Sequence, residues 1–277
     1  MSEFDIKIPS GRLHLKRWGD EADPLVLCVP GLTANIRAFD FLGERLARPG
    51  LQLVALDMRG RGRSQTTPPG TYGWDKHAAD LFAVADALGR RTFALIGQSL
   101  GAAIAMFAAT IDAGRLERMV LIDVAGVPDP RTGPPIMASA ARLGGVHPSV
   151  EKFIETVRSV GTVQPWSGYW EAYYRYELEP APEGGVRSRT NREAVIEDAM
   201  FTGTHDARTL WPSLTMPVLL LRAARELLPG AGHLVTEADR DRFRAEVPGA
   251  QVVEIDANHY GISLHEDTAA AIRKFLA

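Results

Sequence analysis

Short apolar runs rich in Val, Ile and Leu recur along the chain, and segments with a helical spacing of apolar residues separate them. This alternation is typical of a mainly parallel sheet with helices on both faces. The turn formed by Pro9, Ser10 and Gly11 is short enough for an antiparallel hairpin at one edge. We therefore predict an α/β fold on a sheet of about eight strands. The runs place these strands at residues 3–8, 12–18, 25–29, 51–56, 92–96, 119–122, 217–221 and 251–255.

The pattern changes after Asp123. Between residues 127 and 212 we find no convincing strand, whereas Pro-rich turns separate helical patterns at 150–160 and 167–178. We interpret this stretch as a helical cap, or lid, inserted into the sheet domain. The predicted organisation is a core domain of residues 1–126 and 213–277 with a cap of residues 127–212.

The amino-acid composition limits the classes of molecule that we expect this protein to bind. The 277 residues include 31 Lys and Arg against 34 Asp and Glu, and a net charge of −3 gives no attraction to nucleic acid or anionic lipid. The N-terminus lacks the apolar run of a secretory signal, and no stretch approaches the ~20 apolar residues of a membrane span. We expect a cytoplasmic protein that acts on a small-molecule substrate, with no nucleic-acid or membrane partner. Its oligomeric state stays open.

The strongest chemical signal is the segment Gly97-Gln98-Ser99-Leu100-Gly101, a G-x-S-x-G between a predicted strand and a predicted helix. A sharp turn there forces Ser99 into a strained conformation, and side chains at 97 or 101 would collide with the adjoining elements. The hydroxyl would then project over the sheet edge at a helix N-terminus, where developing negative charge is stabilised. The alternative is a Gly-rich turn with a capping serine; the flanking elements favour a nucleophile.

A serine hydroxyl needs a base before it can attack a carbonyl at neutral pH. His259 is the best candidate, because it follows the last predicted strand at the edge where α/β folds gather catalytic groups. A third, acidic residue must orient the imidazole and offset its charge. We select Glu226, which follows the penultimate strand, and keep Asp123 at the end of the preceding strand as its rival. The alternative role for Glu226 is a surface ion pair with a neighbouring arginine.

The order Ser99, acid, His259 on such a sheet resembles the α/β-hydrolase family. The run from Asp57 to Ser64 matches the D-x-R-G-x-G-x-S segment of esterase, epoxide-hydrolase and dehalogenase-like members. Pro30-Gly31-Leu32 stands where many members carry His-Gly, and the resemblance implies an oxyanion hole formed by the backbone N–H groups of Leu32 and Leu100. Epoxide hydrolases and dehalogenases of this family use an aspartate nucleophile, so the serine implies an acyl-enzyme route.

Aromatic residues crowd the predicted cap, and Trp166, Trp170 and Tyr173 fall broadly on one helical face. Such a face usually packs internally, but above the site it would also bind substrate. We expect hydrolysis of a small to medium, largely apolar carboxylic ester or lactone, without cofactor or metal. The open alternatives are carbon–carbon hydrolysis of a vinylogous diketone, cofactor-free perhydrolysis, and a receptor-like binding protein with little turnover.

Overall fold

The computed structural model describes the backbone of residues 1–277 and every side chain except that of Ser139. The strands are β1 (Ser2–Ile8), β2 (Gly11–Trp18), β3 (Leu25–Val29), β4 (Gln52–Leu56), β5 (Phe93–Gln98), β6 (Leu116–Ile122), β7 (Val146–His147), β8 (Leu178–Pro180), β9 (Val186–Ser188), β10 (Val218–Ala223) and β11 (Gln251–Ile255). The α-helices are α1 (Asp40–Leu46), α2 (Trp74–Ala87), α3 (Leu100–Asp112), α4 (Gly133–Ala140), α5 (Val150–Val160), α6 (Gly168–Glu177), α7 (Arg192–Thr204), α8 (Glu237–Glu246) and α9 (Glu266–Phe275).

The eight-stranded sheet has the order β1-β2-β4-β3-β5-β6-β10-β11. Strand β2 pairs antiparallel with both β1 and β4, and every other pairing in this sheet is parallel. All of the predicted strands are confirmed, including the hairpin at the edge. Because β5, β6, β10 and β11 are neighbours, their carboxyl ends meet at one edge, and the loops that follow them lie side by side.

Successive residues of the central strands face opposite sides of the sheet and enter two separate apolar clusters. In β3, Leu25, Leu27 and Val29 pack with α2 and α3 on one side. Val26 and Cys28 pack with α1 and α9 on the other. Both faces are therefore covered, which explains why β3 is apolar at every position. Burial raises the pKa of the Cys28 thiol, as expected of a cysteine that serves only as a small core residue. None of the described helices is both long and apolar enough to cross a membrane.

Residues 127–212 contain α4 to α7, and the helices predicted at 150–160 and 167–178 are confirmed as α5 and α6. The prediction that this stretch holds no strand is wrong, because β7, β9 and β8 form a three-stranded antiparallel sheet. These strands are only two or three residues long, too short to show an alternating pattern. One of them also includes Pro180, a residue that argues against a strand.

Candidate active site

Ser99 lies at the sharp turn between β5 and α3, with a φ of 56° and a ψ of −122°. A Cβ on Gly97 would lie 2.2 Å from the carbonyl oxygen of Gly101, and one on Gly101 would lie 2.0 Å from that of Val29. The predicted strain at the serine and the need for both glycines are therefore confirmed. Such a backbone conformation costs about 1–3 kcal/mol and persists only where the surrounding structure enforces it.

His259 follows β11, and its imidazole is held by Asp123 rather than by Glu226. The Nδ1 atom of His259 donates to Oδ2 of Asp123 at 2.9 Å, and both residues are buried. The other carboxylate oxygen, Oδ1, accepts the backbone N–H of Ala223 at 2.9 Å, so the neighbouring strand β10 fixes the carboxylate. Within the described chain, Asp123 and Ser99 are the two non-glycine residues with positive φ. Backbone strain is thus concentrated at the nucleophile and at the acid.

Contrary to the choice of Glu226 as the acid, the structure brings Asp123 and not Glu226 to His259. Its Oε2 atom accepts the backbone N–H of Gly230 at 2.7 Å, within a loop closed by the bond from Leu227 N–H to the Gly232 carbonyl at 2.8 Å. The carboxylate therefore stabilises its own turn. It lines a different cavity, shared with Asn258 but not with His259.

Ser99 and His259 line the same small cavity, of about 100 Å³, which we call the histidine cavity. In it, Nε2 of His259 lies 3.5 Å from Nε2 of Gln98, the residue before the nucleophile. Among the described side chains no hydrogen bond joins His259 to Ser99; catalytic hydrogen bonds are often long before substrate binds and tighten in the complex. The described residues contain no cluster of His, Cys, Asp and Glu arranged to hold a metal ion. The lining of the histidine cavity includes Leu32, Ser99, Arg142, Trp170, Tyr173 and His259.

A second cavity, of about 510 Å³, also reaches Ser99, and we call it the apolar cavity. Ser99 and Leu32 line both cavities, whereas His259 lines only the first. The nucleophile therefore stands at the junction of two spaces that differ in size and in chemistry. The lining of the apolar cavity includes Leu32, Trp74, Ser99, Leu100, Val124 and Met137.

Arg142 carries a positive charge into the histidine cavity, and no motif or spacing in the sequence indicates this role. Its Nε and Nη2 atoms donate to the two carboxylate oxygens of Glu177, each at 3.0 Å, and Nη2 also donates to Oγ1 of Thr33 at 3.3 Å. Burial alone would lower the pKa of Arg142, but the charge and hydrogen bonds of Glu177 raise it, so the guanidinium stays charged. Burial also raises the pKa values of Tyr173 and Tyr174, which keeps both hydroxyls protonated at neutral pH.

Two of the three aromatic residues proposed to bind substrate line the histidine cavity, namely Trp170 and Tyr173. Contrary to the prediction for Trp166, the structure does not place this residue in the lining of either cavity at Ser99. Its ring stacks on that of Tyr174, with centroids 5.8 Å apart and planes within 4°. Helical spacing does not apply to Trp166, because this residue precedes α6, which begins at Gly168.

The turn that contains Leu32 is tied to both the nucleophile and residues 127–212. A Cβ on Gly31 would lie 3.1 Å from Cβ of Ser99, so the turn packs directly against the serine. The carbonyl of Leu32 accepts from Nε and Nη2 of Arg61, both at 3.1 Å. Arg61 is fully buried and pairs with Asp198 of α7 at 2.6 Å. Leu100 begins α3, where backbone N–H groups have no partner within the helix.

The comparisons with known proteins agree with this fold. A family model described as alpha/beta hydrolase fold matches residues 24–266. N-formylmaleamate deformylase from Pseudomonas putida is 39% identical over 248 residues, which cover 88% of this chain and 84% of that protein. Rhodomycin D methylesterase from a Streptomyces species is 28% identical, over 92% of this chain and 91% of its own length. The crystal structure of E-2-(acetamidomethylene)succinate hydrolase superposes with a TM-score of 0.87 at 22% identity, covering 99% of each chain. The chain belongs to the alpha/beta hydrolase fold family.

Proposed function

We propose that this protein is a serine hydrolase that cleaves a carboxylic ester or an activated amide through an acyl-enzyme formed on Ser99. The observation that carries the proposal is the buried hydrogen bond from His259 to Asp123, beside a cavity that His259 shares with a strained serine. Relatives named as a methylesterase and as a deformylase support hydrolysis of both bond types. Because the deformylase is the more similar of these two relatives, we add the amide to the ester and lactone predicted from sequence.

In the acylation step, Nε2 of His259 takes the hydroxyl proton as Ser99 Oγ attacks the carbonyl carbon of the substrate. Asp123 holds the Nδ1–H tautomer, so that Nε2 presents its lone pair, and it stabilises the imidazolium that forms. The backbone N–H groups of Leu100 and Leu32 donate to the oxyanion, each worth about 3 kcal/mol of barrier. The imidazolium then gives its proton to the leaving oxygen or nitrogen as the bond to the acyl carbon breaks.

Deacylation repeats this sequence with water. His259 takes a proton from water, the hydroxide attacks the acyl carbon, and the proton returns to Oγ of Ser99 as the carboxylic acid leaves. Residues 127–212 act as a cap in this proposal, since Arg142, Trp170 and Tyr173 line the histidine cavity and Met137 lines the apolar one. The cap would limit access of bulk water and restrict entry to small and medium substrates.

The direct test is Ser99→Ala, assayed with p-nitrophenyl butyrate and with a fluorophosphonate probe. We expect the variant to lose essentially all turnover and all labelling while its circular dichroism is unchanged, because no other group can form the acyl-enzyme. Ser159→Ala, at an exposed position on α5, is the matched control and should keep both. Full activity of Ser99→Ala would refute the proposal.

A further inference from the structure

We propose that the two cavities at Ser99 are separate subsites with fixed roles. The apolar cavity binds the acyl chain, and the histidine cavity binds a small leaving group that carries a carboxylate. The substrate class is then an aliphatic acyl ester, or the corresponding amide, of a small hydroxy or amino acid. This inference rests on the proposed function, which it deepens by assigning an orientation to the substrate.

The orientation follows from where the proton must go. When the tetrahedral intermediate collapses, the bond between the acyl carbon and the leaving atom breaks, and that atom takes the proton from Nε2 of His259. The leaving atom must therefore lie within hydrogen-bond reach of His259. His259 lines the histidine cavity and, among the described residues, does not line the apolar one. The leaving group extends into the histidine cavity, and the rest of the acyl chain has the apolar cavity available to it.

The charges of the two linings support the same orientation. Arg142 is the one formally charged side chain among the described residues that line the histidine cavity, where hydroxyl groups of Thr33, Tyr173 and Tyr174 accompany it. Because the guanidinium already donates to Glu177 and to Thr33, we expect it to attract a substrate carboxylate mainly through its charge. Glu177, which holds the guanidinium in place, is not among the described residues that line this cavity.

The apolar cavity presents charges of the opposite sign. Its lining includes Asp129 and Asp206 and, among the described residues, no Lys or Arg. The hydrogen bond from Arg131 lowers the pKa of Asp129 to about 2, so this carboxylate is ionised at neutral pH. Arg131 and Arg208, which pair with these aspartates, do not line the cavity among the described residues, so a substrate carboxylate would find no cationic partner there. A hydrocarbon chain would contact Trp74, Val124 and Met137.

The sizes of the two cavities agree with this assignment. About 510 Å³ lies within the usual range for pockets that enclose a small molecule, whereas about 100 Å³ has room only for a small leaving group. The longer part of the substrate therefore belongs in the apolar cavity. The reaction balances as an ordinary hydrolysis: water supplies the hydroxyl of the released fatty acid and the proton of the released hydroxy acid.

The experiment compares two isomeric esters that have the same atoms and the same charge but opposite orientation. One is the hexanoyl ester of γ-hydroxybutyrate, which has an apolar acyl group and an anionic leaving group. The other is the monohexyl ester of succinate, in which these roles are reversed. After correction for the alkaline hydrolysis rate of each ester, we expect kcat/KM to be about tenfold or more higher for the first. Equal values or the reverse order would overturn the orientation.

A neutral analogue tests the carboxylate by itself. The hexanoyl ester of γ-hydroxybutyramide differs from the first substrate only in charge and one terminal group. We expect its kcat/KM to be about tenfold lower, mostly through a higher KM, because the carboxylate interacts with Arg142 in both the ground state and the transition state. Equal cleavage of the acid and the amide would overturn the assignment of a carboxylate to the histidine cavity.

Matched variants locate each half of the substrate. Ala199, on α7, lines the apolar cavity, and Ala38 lines the histidine cavity. Ala199→Leu should reduce the preference for hexanoyl over acetyl esters of γ-hydroxybutyrate by about tenfold, because it fills the acyl subsite. Ala38→Leu should leave that preference unchanged and reduce kcat/KM for both. The opposite pattern would overturn the assignment.

Labelling of Ser99 separates failure of this inference from failure of the proposed function. If wild-type protein cleaves no ester and Ser99 resists the fluorophosphonate, the proposed function fails, and the subsites fail with it. If Ser99 is labelled but the hexanoyl ester of γ-hydroxybutyrate is not preferred, or is not cleaved, only the subsite assignment is overturned.

Discussion

Among the described residues, two histidines are each held by a buried aspartate, His259 through Nδ1 and His77 through Nε2. Asp123 binds His259 and Asp198 binds His77, each with a shortest nitrogen–oxygen distance of 2.9 Å. All four side chains are at most 7% exposed. Only the first pair belongs to the site that we assign to catalysis, so the contact between carboxylate and imidazole does not by itself identify an active site.

What differs is the environment of each pair. The carboxylate of Asp198 also accepts from Arg61 at 2.6 Å and from the N–H of Gly73 at 2.7 Å, so it is saturated by partners that link α7 to the core. Asp123 has one further partner, a backbone N–H, and no arginine in the described structure. The imidazole of His259 opens to a cavity with Ser99, whereas His77 lines neither cavity at Ser99 among the described residues. The comparison indicates what distinguishes the catalytic pair: the ring nitrogen of its histidine that the aspartate does not contact is accessible from a cavity that also contains a nucleophile.

The largest expected effect comes from Asp123→Asn. Asparagine fills the same space and can still accept the N–H of Ala223, but it cannot stabilise the imidazolium, and its amide favours the wrong tautomer of His259. We expect kcat for ester hydrolysis to fall by about ten-thousandfold at neutral pH. Steady-state kinetics with p-nitrophenyl butyrate would measure it.

Thermal unfolding of Asp123→Asn is the control, and we expect the midpoint to stay close to that of wild type. A loss of activity accompanied by a large drop in the unfolding midpoint would mean that Asp123 stabilises the folded protein. In that case the two pairs would not differ as we infer.

Asp198→Asn should show the reverse: a loss of stability with little change in chemistry. The substitution leaves Arg61 buried without its ionised partner, which costs about 3 kcal/mol in comparable buried pairs. We expect the free energy of unfolding in urea to fall by about that amount at neutral pH. We expect kcat to remain within about tenfold of wild type, since the Leu32 carbonyl keeps both bonds from Arg61. A loss of kcat as large as that of Asp123→Asn would contradict the inference that only the Asp123–His259 pair serves catalysis.

The stability effect of Asp198→Asn should also depend on pH. Burial alone would raise the pKa of Asp198, but the hydrogen bond from His77 and the charge of Arg61 lower it below its ordinary value. A depressed folded-state pKa gives stability that is complete above the unfolded value, about pH 4, and is lost as the pH falls through the folded value. The difference in unfolding free energy between wild type and Asp198→Asn should therefore be constant above about pH 5 and shrink below about pH 4. A difference that grows on acidification would contradict this.

The sequence predicted the sheet better than it predicted the site. The central strands β3, β4 and β5 are apolar over several residues. Gly97 and Gly101 are required by local steric contacts, which the G-x-S-x-G motif reflects. The acid could not be chosen in this way, because β6 and β10 are adjacent and both end beside the loop of His259. Arg142 and Asp198 lie in the segment 127–212, whose packing against the core depends on contacts distant in sequence. Periodicity predicts which residues share a face but not which of them reach a cavity.

The smallest expected effect is that of Glu226→Gln. This variant tests whether the acid is Asp123, which follows β6, or Glu226, which follows β10. Glutamine keeps an oxygen that can accept the N–H of Gly230, which is the contact that the carboxylate makes in its own loop. We therefore expect kcat/KM to stay within about twofold of wild type and the free energy of unfolding to change by no more than about 0.5 kcal/mol. The kinetic assay used for Asp123→Asn and the urea unfolding used for Asp198→Asn measure these two quantities. A severe loss of activity in Glu226→Gln would return the role of the acid from Asp123 to Glu226. It would also show that the loop after β10 rearranges during turnover, since β6 and β10 both end beside His259.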